Sequence, residues 1–329
     1  MRRVRMVTAW LLVAVLAAGI VAATWLRTRD PLAALPREDP AKVAVAEEWS
    51  ERWEGRTLLH VALDGGPVGR ARIVVSLPDP MPRERVPVIV VLGGLRGGSD
   101  AIREIVRVAG DPGPSAFIGY DWPLPEREPS LAEIVRRLPE YRRDVLTVPG
   151  QVDAILAWAS RQPWVDAKRV SLLGFSLGAF VAPAAQRLAQ QRGAQVGWTI
   201  LGYAGAPIGD VIAGHPDAGP PWLRPILGAA ADLLLRPVEP SLHLPYLRGR
   251  FLVLGATGDR LVAPAAARRL AELTPEPRTV VVVEGDHLGV GADRSKLLRH
   301  VIEVSRAWLA EKGAIEPDPP AAGASTAQP

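Results

Sequence analysis

The chain has 329 residues, of which 48% are hydrophobic and 22% charged, and its formal net charge at pH 7 is +4. This length allows one large domain or two small ones, and no run of basic residues is interleaved with aromatic residues, so we expect no nucleic-acid partner. Cysteine is absent, which excludes disulfides, thiol catalysis and cysteine-ligated metals.

The amino terminus has the pattern of a membrane-targeting segment. Three arginines within residues 1–5 precede an uncharged apolar stretch from Met6 to Leu26. As a helix, this stretch would span roughly the 30 Å hydrocarbon core of a bilayer. Basic residues keep the preceding end in the cytoplasm. We therefore predict a cytoplasmic segment at 1–5, a signal anchor at 6–26 and a periplasmic catalytic domain anchored in the cytoplasmic membrane. A cleaved signal peptide, which would give a secreted protein, remains an alternative because residues 21–23 are small, as signal peptidase requires.

Residues 27–56 are predicted to form a linker and a short helix, the latter within "DPAKVAVAEEWSERWEG". Beyond residue 57, apolar and polar residues alternate around Asp64-Gly65-Gly66, which predicts an antiparallel hairpin. Residues 86–94, "VPVIVVLGG", form a continuous apolar run that ends in glycines. Such a run is typical of a strand covered on both faces. Apolar residues at helical spacing follow it from residue 99.

The alternation of strand and helix then repeats along the chain. We predict strands at 115–123, 169–176, 195–205, 249–259 and 278–286, and helices at 131–161, 177–191, 264–273 and 296–312. Alternating units of this kind predict an α/β domain over 57–312, with a mostly parallel sheet and helices on both faces. Residues 206–248 interrupt the pattern and are predicted to be a cap or lid insertion. The composition of 313–329 predicts a disordered tail.

A serine stands between two glycines where a predicted strand meets a predicted helix, in "GFSLG" at 174–178. A strand–turn–helix junction of this kind forces Ser176 into strained backbone angles. Gly174 and Gly178 are needed because side chains at these positions would collide with the crossing elements. Two later strands end in loops that contain Asp259 and His287. Because parallel strands present their carboxyl ends at one edge of the sheet, we expect these loops beside Ser176.

The order serine, aspartate, histidine in these contexts resembles the α/β-hydrolase family over about residues 57–312. The resemblance implies that Ser176 is the nucleophile, His287 the general base and Asp259 the residue that orients the imidazole. It also implies an oxyanion hole made of backbone amides. One amide is that of Leu177, and the other comes from "GGLRGG", for which we choose Leu95.

Other residues are weaker candidates for the site. Asp286 precedes His287 and is a lesser candidate for the triad acid, while His215 and His243 are expected at the surface or in the pocket wall of the insertion. The predicted substrate pocket contains Tyr120, Trp122 and Trp222, although packing roles stay open for the first two. The five histidines are scattered without metal-ligand spacing, so we expect neither a metal ion nor a cofactor.

A serine nucleophile implies an acyl-enzyme intermediate that water hydrolyses. Our first interpretation is a carboxylic-ester hydrolase of the cell envelope, similar to esterases or thioesterases. It would act on a small-molecule ester or acyl substrate and contact the membrane through the amino-terminal helix. Two alternatives remain: a peptidase or amidase of the same fold, or a catalytically silent binding or envelope-assembly protein on a hydrolase scaffold. A fold alone does not specify a substrate.

Overall fold

A computed structural model of the chain describes Thr24 and residues 28–94, 98–109, 113–123, 133, 136–288 and 294–317. Within these ranges the strands are β1 Ala44–Trp53, β2 Arg56–Asp64, β3 Arg70–Pro78, β4 Val86–Leu92, β5 Ala116–Asp121, β6 Val165–Phe175, β7 Trp198–Gly202, β8 Arg250–Ala256 and β9 Arg278–Val283. These nine strands form one mixed sheet in the order β1-β2-β3-β5-β4-β6-β7-β8-β9. The pairs β1–β2, β2–β3 and β3–β5 are antiparallel. The pairs β5–β4, β4–β6, β6–β7, β7–β8 and β8–β9 are parallel. The predictions of a mostly parallel sheet and of an antiparallel hairpin beyond residue 57 are therefore confirmed.

The bounds of the elements follow the predicted alternation closely. The described α-helices are α1 Gly98–Ala109, α2 Leu138–Ser160, α3 Leu177–Gln191, α4 Ile208–Gly214, α5 Arg224–Leu234, α6 Pro264–Leu273 and α7 Arg294–Glu311.

Strand β4 is buried along its whole length because helices cover both faces of the sheet. Val88 and Val90 pack into a core that includes residues of α2 and α3. Ile89 and Val91 point the opposite way, into a second core that includes residues of α1 and α7. This double covering explains why the strand is a continuous apolar run and not an alternating one.

The predicted short helix before residue 57 is wrong, because residues 44–53 form β1. This strand pairs with the edge of β2 through a two-residue turn at Glu54 and Gly55, where φ is +47° and +73°. Positive φ at both turn residues matches the right-handed twist of a tight hairpin. Trp49 of β1 stacks on His60 of β2 at a ring-centroid distance of 3.7 Å. Backbone pairing and cross-strand stacking outweigh the local helix propensity of the glutamate-rich segment.

The predicted start of the disordered tail at residue 313 is also too early. Residues 313–317 continue the folded domain, and Ala314 and Ile315 are buried in the core beside α7. The Ala314 N–H donates to the Leu309 carbonyl, and Arg169 of β6 pairs with Glu316 at 2.6 Å. These contacts attach the segment to the domain. The rest of the predicted tail, 318–329, lies outside the described residues.

The insertion between β7 and β8 is helical. It contains α4, α5 and three short 3-10 helices. Helices α4 and α5 approach closely, since a Cβ atom on Gly228 would lie 2.7 Å from the Gly209 carbonyl oxygen. Two carboxylates hold the amino terminus of α4: Asp232 accepts from Gly209 N–H and Glu239 from Ile208 N–H, both at 2.7 Å. Negative charge is favourable at this end of a helix. A role of the insertion as a lid stays a prediction.

No helix within the described ranges is both long and apolar enough to cross a membrane. The predicted span at 6–26 lies outside these ranges except for Thr24, so the structure leaves the signal anchor as a prediction.

His243, in the insertion, is completely buried, which corrects its expected place at the surface or in the pocket wall. Its Nε2 donates to the Pro237 carbonyl at 2.9 Å. Its Nδ1 lies 3.5 Å from a guanidinium nitrogen of Arg187, which has protons to donate and no acceptor. The ring is therefore neutral in this setting, and burial is the main cause that lowers the pKa of His243 to about 4.

We predict that the free energy of unfolding falls as the pH drops from about 6.5 to about 4. In that window the unfolded chain binds a proton at His243 that the folded chain excludes. The contribution is on the order of 3 kcal/mol. Thermal unfolding at several pH values should show that His243→Gln loses less stability at acidic pH than wild type does. His300→Gln, at an exposed histidine, is the matched control. Equal losses of stability at acidic pH in His243→Gln and wild type would contradict the prediction.

Candidate active site

Ser176 lies in a strained turn between β6 and α3. Its backbone angles are φ +52° and ψ −118°, a region that non-glycine residues rarely adopt. The Ser176 N–H donates to the Gly202 carbonyl at 2.8 Å, and the Ser176 carbonyl accepts from Ala179 N–H at 3.0 Å. Backbone strain of this kind costs on the order of 1–3 kcal/mol and clusters at functional sites. The turn places the serine side chain at the carboxyl edge of the sheet, beside the amino terminus of α3.

The glycines on either side of Ser176 permit close packing of the turn, as predicted. A Cβ atom on Gly174 would lie 2.7 Å from the Gly178 carbonyl oxygen. A Cβ atom on Gly178 would overlap the carbonyl group of Leu92 at the end of β4. Both neighbours are backbone atoms, which cannot rotate away as the end of a side chain can.

The structure brings Ser176, His287 and Asp259 into one hydrogen-bonded chain. His287 Nε2 lies 2.9 Å from Ser176 Oγ, and His287 Nδ1 lies 2.9 Å from Asp259 Oδ2. The side chains of His287 and Asp259 are only 5% and 6% exposed. With its proton on Nδ1, a neutral imidazole donates to Asp259 and accepts the Ser176 hydroxyl proton. The catalytic roles of the three residues stay predictions.

Asp259 is the carboxylate aligned with the imidazole, and Asp286 is not. Asp259 Oδ1 accepts from Leu261 N–H and Val262 N–H, both at 2.9 Å, which turns Oδ2 toward His287. Asp286 accepts from the backbone N–H of His287 at 2.7 Å and pairs with Arg260 at 3.4 Å. The backbone hydrogen bond from His287 is the main cause that lowers the pKa of Asp286.

The structure describes only one of the two residues predicted for the oxyanion hole. Leu177 is the first residue of α3, directly after Ser176. The loop after β4 comes close to Ser176, since a Cβ atom on Gly94 would lie 3.7 Å from Ser176 Cβ. Leu95 itself lies outside the described residues. The assignment of the Leu177 and Leu95 amides to an oxyanion hole stays a prediction.

The structure corrects the assignment of Tyr120 to the substrate pocket. Its side chain is fully buried, and its hydroxyl donates to Gln151 of α2. Gln151 in turn donates to the Val68 carbonyl at 2.7 Å. Side chains alternate between the two faces of a strand, and position 120 points into the core beneath α2. Tyr120 is therefore a core residue.

The two tryptophans predicted to line the pocket also differ in position. Trp122 is 8% exposed, and its indole N–H donates to the Gly93 carbonyl at 3.3 Å. It therefore packs within the core and holds the loop after β4 near Ser176, with little of its own surface exposed. Trp222 lies before α5 with 72% of its surface exposed. Its role in substrate selection stays a prediction.

Tyr203 is a neighbour of the site that the sequence patterns did not single out. It directly follows β7, and its ring packs edge-to-face against His287, with centroids 5.6 Å apart and an interplanar angle of 82°. Its φ of +59° is unusual for a non-glycine residue. Its position after a parallel strand was the available signal, because that end of the strand points to the active edge of the sheet.

The described ranges contain no group of three or more His, Cys, Asp or Glu side chains arranged to hold a metal ion. The expectation of a site without metal or cofactor stays a prediction.

Comparisons with known proteins give a match at the level of fold. No family model and no curated protein matches the sequence. Acetyl xylan esterase 1 from Thermoanaerobacterium sp. aligns with a TM-score of 0.59 at 14% identity, covering 83% of this chain and 91% of that chain. An esterase from Pyrobaculum calidifontis aligns at 0.54 and 18% identity, covering 89% and 91%. Carboxyl esterase 2 from Tuber melanosporum aligns at 0.55 and 16%, covering 78% and 87%. The chain has the α/β-hydrolase fold.

We predict that Gly178→Ala destabilises the fold by about 1–3 kcal/mol, because the added methyl group must displace α3 from the Leu92 carbonyl. Ser176 lies two residues away, so its reaction with a fluorophosphonate should also slow. Gly197→Ala is the matched control, since a Cβ atom there meets no heavy atom within 4 Å. Thermal unfolding and labelling rates measure both effects. If both remain at wild-type values in Gly178→Ala, the close packing does not determine the geometry of the turn.

Proposed function

We propose that this chain is a serine hydrolase that cleaves carboxylic esters through an acyl-enzyme on Ser176. One observation carries the proposal: a hydrogen-bonded chain of two 2.9 Å contacts joins Ser176, His287 and Asp259. A strained turn presents the serine, and a buried carboxylate with two backbone hydrogen bonds orients the histidine. This is the geometry in which an otherwise weak hydroxyl nucleophile becomes reactive.

The proposed reaction has two halves. In the first, Ser176 Oγ attacks the acyl carbon while His287 Nε2 takes the hydroxyl proton, and Asp259 stabilises the resulting imidazolium. The tetrahedral oxyanion accepts hydrogen bonds from the Leu177 amide and from the loop after β4. His287 then gives its proton to the leaving alcohol as the ester C–O bond breaks. In the second half, water attacks the acyl-enzyme by the same route and releases the acid.

An ester is the substrate class that the comparisons favour. Among the solved structures with this fold, the three described above are all named as esterases. Their identities to this chain are low, so they support the class of bond and leave the acyl and alcohol groups open. Amide hydrolysis requires the same nucleophile and base, and we treat it as an outcome of the test.

Ser176→Ala and His287→Ala should each lower kcat/KM on p-nitrophenyl esters by several orders of magnitude. The double variant should be little worse than either, because the residues act as a unit. Asp259→Asn should cost less, yet still orders of magnitude, because the amide favours the wrong imidazole tautomer. Asp286→Asn is the matched control. It removes the adjacent carboxylate, which pairs with Arg260 and not with the imidazole, so activity should stay near wild type.

The measurements are labelling by a fluorophosphonate and hydrolysis of matched p-nitrophenyl esters and p-nitroanilides of several acyl lengths. Faster cleavage of the anilides would show that the protein is an amidase and not an esterase. A folded wild-type protein that is neither labelled nor active would be a silent scaffold. Full esterase activity in Ser176→Ala would leave the serine as a turn residue only.

We further propose that the catalytic domain is exported and remains attached to the cytoplasmic membrane. The support is the apolar span at 6–26 behind three arginines. A reporter enzyme that is active only outside the cytoplasm, fused after residue 329, should therefore give signal. The same fusion without residues 2–29 should give none. If both fusions are recovered from the cytosol without reporter activity, the protein is not exported.

A further inference from the structure

Helix α5 of the insertion differs from an ordinary surface helix, which exposes polar residues on its outer side. Arg224 and Asp232 carry the only charges among its 11 residues. Asp232 points toward α4, where it accepts from Gly209 N–H, and Arg224 donates to the Gly219 carbonyl at 3.0 Å. Both charged side chains are thus engaged within the insertion, and the side of α5 that faces away from α4 carries no charge.

The side of α5 that faces away from α4 is apolar. Gly228 marks the side that touches α4, because a Cβ atom there would lie 2.7 Å from the Gly209 carbonyl oxygen. With 3.6 residues per turn, Ile226 and Leu233 lie on the opposite side, and Trp222 precedes Ile226 by about one turn. Ile226 and Trp222 are 59% and 72% exposed, and Leu233 is half-buried. We call this surface the outer face of α5, and its residues are Trp222, Ile226, Ala229, Ala230 and Leu233.

The size of the outer face limits what can cover it. A helix of this length is about 16 Å long and one side of it is about 10 Å wide, so the face offers roughly 160 Å². A stable interface between two proteins buries about 800 Å² on each partner. A second copy of the chain would therefore need much more surface than the outer face provides. A lipid surface needs no matching partner patch, because it takes up apolar side chains individually.

The outer face lies close to the point where the amino-terminal segment joins the domain. A 3-10 helix at Pro31–Ala34 packs against a second one at Arg236–Val238, which follows directly on the carboxyl end of α5. The chain from residue 26 to residue 31 can extend at most about 18 Å. With residues 6–26 in a bilayer, as proposed above, the carboxyl end of α5 therefore lies near the surface of that bilayer.

We propose that the outer face of α5 lies on the surface of the membrane, with the side chains of Trp222 and Ile226 inserted among the lipid headgroups. The choice of a bilayer as the partner rests on the proposed membrane anchor and is independent of the proposed ester hydrolysis. Tryptophan is favoured at this depth because its ring is apolar and its indole N–H can still donate to water or to a headgroup. An apolar helix face in this position is buried by roughly 5–10 Å. The catalytic domain is then held with its insertion toward the lipid.

The absence of cysteine from the chain allows a single label to be placed on this face. Ile226→Cys, labelled with the environment-sensitive fluorophore NBD, tests the outer face in the full chain. His300→Cys is the matched control, because its side chain is 55% exposed and lies on α7, on the opposite side of the sheet. Each protein is reconstituted as a single chain in nanodiscs of phosphatidylcholine and phosphatidylglycerol. Thermal unfolding in the discs verifies that both labelled variants are folded.

The label at residue 226 should emit at shorter wavelength than the label at residue 300, because it has left bulk water. Spin-labelled lipids should quench it several-fold more strongly than they quench the control. A spin label near the headgroup should be more effective than one at the end of the acyl chain, because the face enters only the interfacial region. Iodide in solution should quench the label at residue 300 more strongly than the label at residue 226.

Equal lipid quenching at the two positions would overturn the inference. A label at residue 226 that is protected from both iodide and lipid would also overturn it, because a segment of the chain itself would then cover the face. A full chain that is not retained in the nanodiscs contradicts the membrane anchor and this inference together. Failure of the proposed ester hydrolysis is detected separately by fluorophosphonate labelling and leaves the quenching result unaffected. If the label at residue 226 prevents folding, Trp222→Cys carries the label and decides.

Discussion

The approach of α3 to the end of β4 is the constraint on which the site depends. Gly178 packs directly against the Leu92 carbonyl, and Gly174 packs against the first turn of the same helix. This contact lets the chain reverse within one residue, and the strain of that reversal falls on Ser176. Larger residues at either glycine would move the helix and Ser176 together. The position of the Ser176 hydroxyl is thus determined by packing of the backbone at Gly174 and Gly178.

Sheet order then determines which loops meet the serine. Strands β6, β7, β8 and β9 are adjacent and parallel, so four consecutive loops end at one edge. Three of them carry Ser176, Asp259 and His287, and the fourth carries Tyr203. The imidazole is held from three sides, by a hydroxyl, a carboxylate and an aromatic ring. The insertion begins shortly beyond Tyr203, at the same edge of the sheet.

The sheet and the three-residue chain were predictable because their signals are local. Continuous apolar runs predict strands, and Ser176, Asp259 and His287 each come shortly after such a run. The runs of β6 and β8 are mostly buried, whereas β9 is an edge strand with Val280 and Val282 exposed. The errors arose where long-range contacts decide. Strand β1 depends on the free edge of β2, residues 313–317 depend on a distant core, and the burial of Tyr120 depends on Gln151 from another element. Tyr203 was missed because the predicted strand at 195–205 placed it inside the strand, whereas β7 ends at Gly202 and Tyr203 comes directly after it.

The three residues of the site lie far apart along the chain, so they are synthesised at different times. Ser176 leaves the ribosome well before Asp259, and His287 follows only with the last strand and helix. Until β9 and α7 dock, the Ser176 hydroxyl lacks the imidazole that contacts it in the folded chain. Under the proposed function, the nascent chain is therefore unreactive toward acyl compounds around it. The hydrogen-bonded site is complete only when the carboxyl-terminal segment has joined the sheet.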